Sequence, residues 1–200
     1  MGVDSPSKAN EQDINESKKS NFSRALLASV AIGVAGSFII VPLTYLQMVA
    51  TLAHSYAVAA TLGLWVIPCL LPLILVKRGG SAIIACAAIG VISAVTTPFG
   101  MSAIPALLFE GLIVEIPFLV TLYRKWSTLQ YFVSSVLLGG LMGFMVPMTL
   151  GISESGLGLP LSCMAISTVS SLAGTWLSLF IAKKIQHRGV LIISSEATHM

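Results

Sequence analysis

Charge is what this chain has least of. Only 10% of its 200 residues are Asp, Glu, Lys or Arg, where a soluble domain carries about 25%. Apolar residues make up 56%, and the mean hydropathy is +0.92. A water-soluble globule is excluded, and the expected class is an all-α integral membrane protein. Histidine and cysteine are also scarce, three of each. Cys69, Cys86 and Cys163 stand inside apolar runs without paired spacing, so they read as small packing residues rather than metal ligands. No metal or cofactor is expected. HExxH, GxSxG and phosphate-loop patterns are missing, so the chain is not expected to be an enzyme or to hydrolyse a nucleotide by itself.

What is present is a series of long apolar runs. Six of them are long enough to cross the roughly 30 Å hydrocarbon layer as helices: Ala25 to Leu46, Tyr56 to Val76, Ser81 to Thr97, Ser102 to Leu122, Thr128 to Leu150 and Leu161 to Ala182. The expected organisation is a disordered cytoplasmic tail over 1–23, a bundle of six transmembrane helices over 24–188, and a second cytoplasmic tail over 189–200. The formal net charge of +3 reads as topology. All eleven Lys and Arg fall before the first span, after the second, after the fourth or after the sixth. The positive-inside rule then puts both termini in the cytoplasm, in a multi-pass protein of the cell membrane. Nucleic acid is not an expected partner.

Small residues recur at helix-contact spacing in the first span, as Ser29, Gly33 and Ser37 on one ladder and Ala31 and Ala35 on another. Such ladders let helices approach closely in lipid. They serve either packing within the bundle or docking of a separate membrane subunit through Ala31, Gly33 and Ala35.

The fourth span carries two carboxylates, Glu110 and Glu115. Each costs roughly 2.5–3.5 kcal/mol at the centre of a membrane helix, so each needs a polar counterpart. No basic residue lies at that depth. The carboxylates are therefore protonated, bonded to hydroxyls such as those of Ser93, Thr96, Thr168, Ser171 or Thr175, or met by a ligand. Five residues separate them, which is about 140° around a helix and about 7.5 Å along it. Glu115, with Gly111 one turn earlier on its face, is expected near mid-membrane as the deep anchor, and Glu110 as a wall residue nearer the entrance. Trp65, Tyr56 and Phe99 are the aromatic candidates for stacking on a flat ligand, together with Tyr45 and Phe109. His54 lies in a basic-free outer connection that can fold over a pocket mouth.

These segments resemble a known family. Gly63 to Ala85, GLWVIPCLLPLILVKRGGSAIIA, followed by Thr96 to Phe118, TTPFGMSAIPALLFEGLIVEIPF, and the basic-aromatic YRKW, are similar to the YkoE-type substrate-binding subunit (S component) of energy-coupling factor (ECF) transporters. The resemblance covers Gly33 to Leu191. Trp65 matches the family's tryptophan in GlW, Gly80 its turn glycine, and Gly111 and Glu115 its qGl..E motif. Gly79 replaces a proline and Glu110 stands where the pattern has Gln. The resemblance implies a six-helix bundle that takes a vitamin or vitamin precursor from outside, for this family hydroxymethylpyrimidine or a related thiamin precursor. It also implies a transmembrane coupling subunit, cytoplasmic ATPase subunits, and a first span that presents small residues to the coupling subunit. An aminopyrimidine offers a ring nitrogen beside an amine, which a carboxylate such as Glu115 meets with two hydrogen bonds while Trp65 stacks on the ring. Two other classes stay open: a proton- or cation-coupled secondary carrier using Glu110 and Glu115, and a non-transporting membrane scaffold.

Overall fold

The computed structural model describes residues 6–124, 126–152 and 156–187, with side chains from 19 onward. Lys125, Glu154, Arg188 and the tail over 189–200 lie outside the described residues. Among the described residues there are six α-helices: α1 Pro6–Ala53, α2 Ser55–Val76, α3 Ser81–Thr96, α4 Ala103–Val120, α5 Thr128–Thr149 and α6 Gly158–His187. A short 3-10 turn, Gly100–Ser102, leads into α4. Five helices are long and apolar enough to cross a membrane; the apolar α3, at 16 residues, is shorter, about 24 Å by helical rise.

The largest departure from expectation is at the N-terminal end. Residues 6–23, expected as a disordered tail, are helical and continuous with the first apolar run. After Pro6, which suits a first helical position, no Gly or Pro occurs until Gly33. The nucleus formed by the apolar run therefore propagates backward without meeting a breaker.

Helix α6 packs along α2 and α5, α1 along α2 and α3, and α3 along α4. Ile40, Leu70, Leu73, Ile89, Val114 and Phe118 form the fully buried centre. Helices α2 and α6 approach each other closely. A methyl group added at Gly63 would overlap the backbone of Ser170, and one added at Gly174 would overlap the backbone of Gly63. In the same seam the Ser170 hydroxyl donates to the Ala60 carbonyl. Gly63→Ala is therefore expected to destabilise by about 2–3 kcal/mol, because rigid backbone, unlike a flexible side chain, cannot give way. A thermal melt of the purified protein checks this, and an unchanged midpoint would exclude the contact.

The turns between helices are cut by backbone geometry. Helix α2 stops at Lys77, in the left-handed region at φ 49, whose N–H donates to the Leu73 carbonyl. Gly80 follows at φ 85, a value that glycine adopts without strain. The described basic residues gather at one end of the bundle. There the Arg78 guanidinium donates to the Asn21 carbonyl at 3.3 Å and lies 5.0 Å from the centre of the Phe22 ring, tying the polar part of α1 to the α2–α3 turn.

Candidate functional site

At the other end of the bundle the helices splay around a cavity of about 230 Å³. Its walls come from the C-terminal halves of α1, α3 and α5 and the N-terminal halves of α2 and α4. Most of the lining is apolar, including Ile40, Leu107, Met142 and Val146. Among its polar groups, Trp65 Nε1, Ser93 Oγ and Glu110 Oε2 are each buried and find no hydrogen-bond partner in the protein, and all three residues line this cavity. Buried polar groups are paired in the great majority of cases. Three unpaired ones around one space mark a place where something polar belongs.

Helix periodicity explains how Glu110 reaches the cavity. Ala103, Leu107, Gly111, Val114 and Phe118 form the buried face of α4. Ala103, Ala106 and Glu110, spaced three and four apart, line the cavity along the edge of that face. On α2, Val58, Leu62 and Trp65 repeat the pattern. Ser93 and Thr97 do so on α3, where the Thr97 hydroxyl is spent on the Ser93 carbonyl at 2.7 Å. Phe99, half exposed, contributes to the wall from the α3–α4 turn.

Glu115 is elsewhere. It is nearly fully buried but lies against the α2–α3 turn, at the basic end of the bundle. Its Oε1 accepts from the N–H groups of Ala82 at 2.9 Å and Ile83 at 3.4 Å. Its Oε2 accepts from the Gly80 N–H at 3.0 Å and the Tyr123 hydroxyl at 2.8 Å. The first amides of α3 have no helical acceptor, and Gly80 at the cap position has no side chain to offer. Glu115 supplies that cap from a neighbouring helix, where a negative charge is also favoured by the helix dipole. Glu115, expected as the deep ligand anchor, is thus placed apart from the cavity: its oxygens are occupied by backbone N–H groups and the Tyr123 hydroxyl, and it is not among the cavity-lining residues. Tyr123 shares the arrangement. Burial first, then the hydrogen bond and charge of Glu115, push its phenol up to about 12.

The remaining candidates separate in the same way. Trp65 and Phe99 line the cavity. Gly111 does not; it lets α4 close onto Cys86 and Ile83 of α3, where an added methyl group would sit 3.1 Å from the Cys86 Cβ. Tyr56 and His54 stack on each other with ring centres 5.1 Å apart, outside the cavity. The Tyr56 hydroxyl accepts from Ser162 at 3.3 Å. Gly33 is buried against Ala85 and Ala88 of α3 beside Ser29 and Ser37, so it serves packing within the bundle rather than a partner. Ala31 and Ala35 face outward. Sequence reasoning missed Thr44, Gln47, Met145 and Thr149, which reach the cavity from α1 and α5; hydroxyl and amide groups near the outer ends of those spans were the available signal.

Comparison with solved structures finds the same fold in a protein described as an S-component of an ECF transporter. The two share 18% identity over 84% of this chain and 86% of that one, with a TM-score of 0.74. No curated protein sequence matches the chain. Residues 24–141 match the family model described as the ABC-type cobalt transport system, permease component. A match over that much of the chain, on a fold of long apolar helices, means that this multi-pass membrane protein belongs to the family of ABC-type cobalt transport system permease components.

Proposed function

We propose that this chain is the substrate-binding subunit of an ECF-type importer and that it holds a small heteroaromatic molecule, of the thiamin-precursor class, in the cavity bounded by Trp65, Ser93 and Glu110. The observation that carries this is the convergence of three unpaired buried polar atoms on one largely apolar space. Ligand sites combine an apolar wall with a few directed polar groups in this manner. An aminopyrimidine edge presents donors to the Glu110 carboxylate and an acceptor to the Trp65 indole N–H or the Ser93 hydroxyl. The ring then lies among Trp65, Phe99 and the methionines of α5.

The family description names cobalt, but the donor set suits an organic ligand better. Glu110 is the single carboxyl of the cavity, and among the described residues no three His, Cys, Asp or Glu side chains gather. A divalent cation in a protein cage takes several such ligands. A coupled secondary carrier relying on both glutamates is disfavoured as well, because the Glu115 oxygens are engaged by α3.

With α3 completing six spans and both termini in the cytoplasm, the cavity opens outward. Energy would come from partner ATPase subunits through a membrane coupling subunit, and the exposed Ala31 and Ala35 of α1 offer it a flat contact. The test is direct binding. Purified protein is titrated by calorimetry with an aminopyrimidine alcohol, thiamin, biotin, riboflavin and cobalt ion. The aminopyrimidine or thiamin is expected to bind; a folded protein that binds none of the four organic compounds, or cobalt alone, would overturn the reading.

A further inference from the structure

The outward face of α6 has a feature that ligand binding does not use. Val169, Ala173, Trp176 and Phe180 recur at helical spacing and are all exposed, with Trp176 and Phe180 stacked at 6.0 Å and an interplanar angle of 12°. The stripe continues into Lys183, Lys184 and His187, also exposed. The Lys184 ammonium does not extend away from the apolar stripe. It lies 4.8 Å from the centre of the Phe180 ring, folded back to the boundary between apolar and basic surface.

We infer that this face of α6 binds an anionic phospholipid, with the phosphate against Lys183, Lys184 and His187 and an acyl chain along Trp176 and Phe180. Two properties favour lipid over a protein partner. The apolar part is one helix-wide strip that faces hydrocarbon once α6 spans the bilayer, so a lipid tail covers it without further ordering. The charge sits one turn beyond Phe180, about 6 Å along the helix, which is the step from acyl region to headgroup, and aromatic and basic side chains mark that boundary in membrane proteins. Basic side chains at a membrane surface attract anionic headgroups by about fivefold in affinity per Lys or Arg. Cation–π contact holds the Lys184 charge at that level and reduces the freedom lost on binding.

The test uses the full chain in detergent micelles doped with either phosphatidylglycerol or phosphatidylcholine, read by native mass spectrometry and by thermal melting. Phosphatidylglycerol is expected to remain attached and to raise the melting point, with phosphatidylcholine doing much less. Lys183→Gln with Lys184→Gln should weaken phosphatidylglycerol retention about 25-fold while leaving small-molecule binding in the cavity unchanged, which shows that the variant is folded. Equal retention of both lipids, full retention by the double variant, or an equal effect from inorganic phosphate alone would each overturn the inference.

Discussion

Glu110→Gln is expected to weaken ligand binding by at least about thirtyfold, because truncating one partner of a buried charge-assisted pair removes about 2 kcal/mol or more. The substitution keeps size and leaves an amide that still accepts one hydrogen bond, so a milder effect follows than for Glu110→Ala. Stability should move in the opposite direction. In the unliganded protein Glu110 Oε2 is a buried polar atom without a protein partner, and exchanging it for an uncharged group relieves desolvation. A variant that melts no lower than the parent yet binds poorly is the signature of a ligand-facing carboxylate. Unchanged affinity in calorimetry would remove Glu110 from the site.

Glu115→Ala should do the reverse. It leaves the amides of Gly80, Ala82 and Ile83 and the Tyr123 hydroxyl without their acceptor, and each buried group so stranded costs about 1–3 kcal/mol. Even with partial rescue by water at that end of the bundle, a loss of about 3 kcal/mol or more is expected, enough to unfold a marginal protein. Glu115→Gln tests the point more gently, since its carbonyl retains one side of the cap while its NH2 faces donors. Thermal melts should rank parent above Gln above Ala. Ligand affinity of whatever folded Gln variant is recovered should stay within a few-fold of the parent. A melt unchanged in both variants would sink the capping assignment.

That Glu110 lines the cavity while Glu115 caps a neighbouring helix shows what a sequence carries and what it conceals. Helix positions were legible because hydropathy reports lipid contact directly: the second span was expected over Tyr56 to Val76 and α2 runs Ser55–Val76, and the fifth was expected over Thr128 to Leu150 and α5 runs Thr128–Thr149. The same signal failed before Ala25, since hydropathy says nothing about a polar stretch that is helical for want of a breaker. At the site, Trp65 and Phe99 were legible as aromatics in the outer half of the bundle. Glu115 was not, because its partners are main-chain N–H groups, which every sequence contains and no motif displays. A glycine-rich turn followed by an apolar helix, with no Ser, Thr, Asp or Asn at the cap, was the one hint that α3 borrows its cap from elsewhere. Gly33 turns inward onto Ala85 and Ala88 of α3 while Ala31 turns outward, and two interleaved ladders on one helix leave that choice open in the sequence.

The cap that Glu115 gives α3 also makes that helix asymmetric. One end is fastened by the Glu115 carboxylate to α4, which Tyr123 of the α4–α5 turn also holds; the other carries Ser93 and Thr97 into the cavity wall. Residues that line the cavity and residues that hold the bundle together therefore sit at opposite ends of the same short rod. Changes at such separated positions combine almost additively. A lineage can then alter the cavity ends of α1, α4 and α5 without disturbing its own assembly.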